Sequence, residues 1–106
     1  MILEHAVLNV RCGQGQAFEQ AIRQALPLIA ATPGFAGIEV RPCLETPERY
    51  LLLVRWETLE AHTQGFRGSS RYQEWRAALH PFYEPFPLVE HYGDAIASAP
   101  PLSSPE

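Results

Sequence analysis

A chain of 106 residues has material for one modest core, because folding at this size removes roughly 65% of the unfolded chain's surface from water. Its net charge is −4, it has no lysine, and its eight arginines are scattered, so it offers no basic stripe to a phosphate backbone and nucleic acid is not an expected partner. No apolar run approaches the ~20 residues of a bilayer span, and the N-terminus lacks a basic segment followed by an apolar stretch and cleavage site. The expectation is therefore no membrane association and a cytoplasmic location.

Residues 2–11 alternate as a strand, with Ile2, Ala6, Leu8 and Val10 on one face and Leu3, His5, Val7 and Asn9 on the other. After Gly13 and Gly15, the positions Phe18, Ile22, Ala25 and Ile29 repeat at helical spacing and predict an amphipathic helix over 16–31, its last turn loosened by Pro27. Thr32-Pro33-Gly34 stops it. A second strand is expected over 35–44, with Ile38 and Val40 opposite to Glu39 and Arg41, and a third over 50–57 after the turn at 45–48. Thr58 can cap a short helix that places Leu59, His62 and Phe66 on one face. Ser70 with Gln73 has capping-box form and opens a second helical piece lined by Tyr72, Trp75 and Leu79, which His80-Pro81 closes. A last strand is expected over 85–92. The predicted domain is 1–93, and 94–106, rich in Pro, Ser and Ala without periodicity, reads as a tail.

The order β-α-β-β-α-β is the split βαβ arrangement of an α+β, ferredoxin-like fold, a four-stranded antiparallel sheet with helices on one face. On the other face Leu3, Val7, Leu51, Leu53 and Val89 fall among His5, Asn9, Glu39, Arg41, Arg55 and Glu57. An aliphatic patch of that size is one that soluble monomers avoid, so a homodimer formed sheet to sheet is expected, against the alternative of a monomer with a mixed surface. Cys12 and Cys43 end two strands separated by a third, about 9.5 Å apart and too far for a disulfide, so both are expected as free thiols. The four histidines are not paired at metal-ligand spacing, there is no CxxC, and no Gly-rich phosphate loop or GxSxG elbow occurs. The expected cofactor and metal complement is none.

His62 stands out among the ionisable residues, because helical spacing turns it toward the sheet and an imidazole changes charge near neutral pH. As a base it could take a proton from a phenolic or enolic substrate; the competing reading is a core histidine satisfied by a nearby acceptor. Trp56 shares a strand face with Tyr50, Leu52 and Val54, so it points toward the helices, either as core filling or as the flat wall of a substrate site. Phe66 and Tyr72 would complete such a lining. His91, read as lying on the face of the last strand opposite to Tyr92, is assigned to the dimer interface.

The stretch RWETLEAH at 55–62 resembles the strand-to-helix junction of the antibiotic biosynthesis monooxygenase family, and FRGSSRYQEWRAALHPFYEPFPLVEHY at 66–92 resembles the second helix and last strand of its members. The resemblance covers about residues 1–93 and implies the dimeric α/β barrel, a fold that hosts cofactor-free oxygenases, heme-degrading enzymes and isomerases. From the polyketide-oxygenase branch it implies a pocket between sheet and helices, with the tryptophan at Trp56, the tyrosine position occupied by His62 and an arginine at Arg76. The branch's asparagine position is Leu52, a departure that tells against quinone formation on the same substrates. The heme-degrading branch is less similar: Asn9, Trp75 and His80 are the right residue types, but Trp75 and His80 are too closely spaced. Arg76 could bind a carboxylate or enolate, or be an exposed arginine paired with Glu74 or Glu84. Three functions follow as expectations. The first is a cofactor-independent monooxygenase or isomerase on a small aromatic or enolisable compound, with His62 as base, Arg76 as anion partner and Trp56, Phe66, Tyr72 and Leu52 around the substrate. The others are a non-catalytic module binding a small molecule or heme, and a domain that only dimerises.

Overall fold

Apolar alternation builds three strands, pairing with the first of them adds a short fourth, and apolar helical spacing builds two helices, in a computed structural model that describes residues 1–102. The strands are β1 (Ile2–Asn9), β2 (Phe35–Pro42), β3 (Arg49–Trp56) and β4 (Val89–Tyr92), and the helices are α1 (Gly15–Ala30) and α2 (Ser70–Leu79). They form one antiparallel sheet in the order β2-β3-β1-β4, the ferredoxin-like arrangement of an α+β fold. The core lies between sheet and helices, where Leu8, Val54 and Trp56 meet Phe18, Ile29, Phe66 and Leu79 with essentially no exposure. Cys12 and Cys43 are free.

Neither helix start is left bare. The first residues of α1 have no capping side chain of their own; instead Glu48, from the turn between β2 and β3, accepts from the Gly13 and Gly15 N–H groups at 2.9 and 2.7 Å. In α2 the cap is local, Ser69 Oγ accepting from Tyr72 N. The two helices are tied by Arg71, which donates to the Leu28 carbonyl at 3.1 Å and to Thr32 Oγ1 at 3.2 Å.

Three sequence expectations change in ways that bear on the site. The short helix before α2 closes as a π-helical turn over Ala61–Phe66, with Arg67 N donating to the His62 carbonyl. This wider turn buries His62 and Phe66 and rotates Leu59 out to 40% exposure, so the expected three-residue face is a two-residue one. Gly34 makes room for it: its φ is +87°, and a Cβ there would sit 2.7 Å from Ala61 Cβ.

The second change is at β4, which begins at Val89 rather than 85 because Pro85 and Pro87 have no N–H to give to the ladder. The third is its phase. Glu4 pairs with His91 and Ala6 with Val89, so His91 and Val89 face the helices, while Tyr92, opposite Leu3, faces outward and is 48% exposed. Val89 therefore does not belong to the outer patch, nor His91 to an outward interface. The outer face retains Leu3, His5, Val7, Asn9, Leu51, Leu53, Arg55, Glu39 and Arg41. Residues 94–102 are exposed and carry no helix or strand, with Asp94 paired to the N-terminal ammonium; the rest of the expected tail, 103–106, lies outside the described residues. Among the described residues no helix is long and apolar enough to cross a membrane.

Candidate functional site

The alternation that points Ile2 and Ala6 toward the helices does the same for Glu4, a carboxylic acid only 5% exposed. It is held from two sides. Trp56 ends β3 and donates its indole N–H to Glu4 Oε1 at 3.0 Å. His62, presented by the π-helical turn and 3% exposed, lies with its ring nearly parallel to the indole, 5.2 Å between centroids and 14° between planes, and its Nε2 is 3.3 Å from the same Oε1. The other ring nitrogen, Nδ1, is 2.7 Å from Nε2 of His91 on the edge strand β4. Three strands and the π-helical turn thus bring Glu4, Trp56, His91 and His62 together in one polar group within an apolar core.

Burial decides the electrostatics. Removed from water, the Glu4 carboxyl is pushed above the usual carboxylate range, a shift that the Trp56 hydrogen bond and the nearby Arg67 cation only partly offset. His62 goes the other way: burial, then Arg67, then His91 lower it to about 3. His91 is lowered by the same burial and by Arg67. At neutral pH the imidazoles are therefore neutral, and a proton entering the group is held more readily by Glu4 than by His62.

A cavity of about 100 Å³ opens beside this group, and Glu4, Leu52, His62, Phe66, Arg67 and Tyr72 are among the residues that line it, with Trp75, His80, Tyr83 and Phe86. Of the residues expected at a site, His62, Phe66, Tyr72 and Leu52 line the cavity. Trp56 stands behind His62 as the partner of Glu4, fully buried and outside the lining. Arg76 is neither: it lies on the exposed side of α2 and is not in the lining. The reason is geometric, since Tyr72, Trp75 and Leu79 occupy the inward stripe of α2 and the residue after Trp75 lies roughly 100° around the helix. The cation beside the cavity is Arg67. Among the described residues no group of three or more His, Cys, Asp or Glu is placed to hold a metal ion.

Glu4, Arg67 and His91 are the site residues that sequence reasoning missed. Glu4 had a readable signal, being an acid at an inward position between Ile2 and Ala6. His91 had none, because a four-residue strand reading Val-Glu-His-Tyr has no apolar alternation to fix its phase; only pairing with β1 does.

The comparisons with known proteins agree with this architecture. The antibiotic biosynthesis monooxygenase family model matches residues 1–78. An uncharacterised protein of Bacillus subtilis, YczJ, is 54% identical over 94 residues, covering 89% of this chain and 99% of that protein. Among solved structures, a provisionally named antibiotic biosynthesis monooxygenase from Bordetella bronchiseptica is 35% identical with a TM-score of 0.84, over 90% of this chain and 97% of that one. A mutant of SnoaB, a cofactor-independent oxygenase from Streptomyces nogalater, has a TM-score of 0.75 over 94% of this chain and 97% of its own; at 17% identity it is similar in fold alone. The chain belongs to the antibiotic biosynthesis monooxygenase family.

Proposed function

We propose that the chain is a cofactor-independent monooxygenase that removes a proton from a small aromatic or enolisable substrate at the cavity, with Glu4 as the proton acceptor. The observation that carries this reading is a buried carboxyl, raised above its usual range, facing a cavity in a chain of this family. A base must reach the proton and also hold it. His62 reaches the cavity, but lowered to about 3 it holds a proton poorly at neutral pH, so its part is to pass protons to and from Glu4.

Deprotonation gives an anion with its own electrons to donate. Overall, a methylene group, present as such in a β-dicarbonyl compound or an anthrone and in the keto tautomer of a phenol, and one dioxygen molecule give a carbonyl group and one water. Both C–H bonds of the methylene and the O=O bond break, the substrate supplies the electrons, one oxygen atom stays on the carbon and the other leaves as water with the two protons. Arg67, lining the cavity, is placed to stabilise the enolate or phenolate by its charge. Trp56, hydrogen-bonded to Glu4 and stacked on His62, fixes both and is a positioning residue.

Size restricts the substrate. A cavity of about 100 Å³ is smaller than the ~150 Å³ engineered cavity that holds benzene. It takes the reacting edge of a single-ring compound, and a porphyrin does not fit it. The sheet's outer face supports the expected homodimer, because Val7 and Tyr92 are exposed there. Two free cysteines suit a reducing cytoplasm.

Oxygen-electrode screening of single-ring hydroquinones, β-dicarbonyl compounds and anthrones tests the proposal. Uptake with a one-ring member, without added flavin or metal, is the expected result. No uptake with any class, or uptake only after adding a flavin, contradicts it.

A further inference from the structure

We infer that His62 and His91 form a proton wire between the Glu4 carboxyl and the open edge of the sheet at β4. The inference deepens the proposed function by assigning a role to His91, and it rests on that reading only for its purpose, since the wire can be observed without a substrate.

The donors and acceptors in the group lead to it. An indole N–H can only donate, so Glu4 Oε1 accepts from Trp56 at 3.0 Å in every protonation state. The 2.7 Å separation of His62 Nδ1 and His91 Nε2 requires one nitrogen to donate and the other to accept. His62 Nε2 lies 3.3 Å from Glu4 Oε1 without the alignment of a hydrogen bond, so this link of the wire forms when the imidazole or the carboxyl reorients.

Two arrangements satisfy these contacts with both rings neutral. With Glu4 ionised, His62 carries its proton on Nε2 and donates to Oε1, His91 carries its own on Nε2 and donates to His62 Nδ1, and His91 Nδ1 is bare. With Glu4 protonated, the carboxyl O–H donates to His62 Nε2, His62 carries its proton on Nδ1 and donates to His91 Nε2, and His91 carries its own on Nδ1. One proton converts the first arrangement into the second. It bonds to His91 Nδ1 while the Nε2 proton of His91 passes to His62 Nδ1 and the Nε2 proton of His62 passes to Glu4. Run backwards, the same shifts release a proton taken from substrate, so that Glu4 returns to its ionised form.

The surroundings favour this exchange. Glu4 is buried and its own outlet is the cavity, which a bound substrate would close. His91 is only partly buried, on an edge strand, and gives a second outlet. The charged and titratable groups around the two histidines are Arg67, which follows the π-helical turn, His80 and Tyr83 in the cavity lining, and Glu90 beside His91 on β4 with its side chain on the other face. The Arg67 cation and burial both resist a positive charge on either ring, which favours a relay of neutral imidazoles over imidazolium formation.

The test is nitrogen-15 NMR of the histidine-labelled full chain, which distinguishes Nδ1–H, Nε2–H and doubly protonated rings. As pH is lowered through the range in which Glu4 takes up its proton, which burial moves above the ordinary carboxylate range, His62 and His91 should change from Nε2–H to Nδ1–H together, with one midpoint and no imidazolium. In Glu4→Gln the amide oxygen must face Trp56, so both rings should stay Nε2–H throughout. Separate titration of either ring to imidazolium near its ordinary value, or a His62 tautomer that does not follow His91 in the wild type, overturns the wire whether or not the variant folds. In a turnover assay, His91→Ala should lower kcat about tenfold or more with KM little changed, and added imidazole should restore it. Coupled tautomers without oxygen uptake would leave the wire standing and remove the proposed reaction; oxygen uptake with uncoupled rings would do the reverse.

Discussion

Replacing His62 by phenylalanine separates a buried neutral imidazole from an ordinary surface one. The variant keeps a ring against Trp56 but removes the contact to Glu4 and leaves His91 Nε2 without its partner. Near pH 8 that costs roughly 1–3 kcal/mol, the usual penalty for a buried polar group left unpaired. Acid changes the comparison. Because the folded His62 sits at about 3 while an unfolded histidine sits near 6.5, the unfolded chain binds more protons between those values, and wild-type stability falls as pH drops through 6.5. At ~1.4 kcal/mol per pH unit the loss reaches about 2 kcal/mol near pH 5. Phenylalanine carries no such penalty, so the gap between the two proteins should close or reverse near pH 5. Glu4 contributes with the opposite sign, since its raised carboxyl gives stability at low pH that is lost as pH rises through the folded value, but that group is present in both proteins. Urea unfolding at several pH values measures the gap. The same gap near pH 8 and near pH 5 would refute the burial argument.

Glu48→Gln should destabilise the fold at neutral pH by weakening the cap on α1. Because the Gly13 and Gly15 N–H groups hold the Glu48 carboxyl below its usual range, its contribution is present above the ordinary carboxylate value and is lost as pH falls through the folded one, so melting curves of the two proteins should converge in acid. Arg67→Ala should lower oxygenase turnover about tenfold or more, the scale of losing one charged stabiliser, whereas Arg76→Ala should leave it within about twofold; equal effects would return Arg76 to the site. Leu53→Arg, in the middle of the sheet's outer face, should convert the proposed dimer to monomer in sedimentation, and an unchanged sedimentation coefficient would place the interface elsewhere.

The fold was legible because its signals are local. Alternation around Tyr50, Leu52, Val54 and Trp56, and the spacing of Phe18, Ile22, Ala25 and Ile29, each appear within a dozen residues, and both faces came out as read. The resemblance carried by residues 55–62 and 66–92 led to the family that the comparisons establish. The candidate site was legible only in part. His62 and Trp56 were placed inward by periodicity, but what connects them is Glu4, 52 residues from Trp56 in the chain, and no local pattern couples the two. His91 entered through strand register, and Arg76 was misplaced because a family position was carried onto a helix whose own apolar stripe already turned it outward.

The proposed function turns on whether Glu4 receives the substrate's proton. Oxygen uptake by wild type and Glu4→Gln, on one single-ring substrate and with circular dichroism showing both folded, measures this most directly. Gln keeps the acceptor for the Trp56 N–H but cannot hold a proton, so uptake should fall by roughly 10²–10⁴. Uptake by folded Glu4→Gln within about twofold of wild type, well inside what loss of a general base removes, would contradict the account.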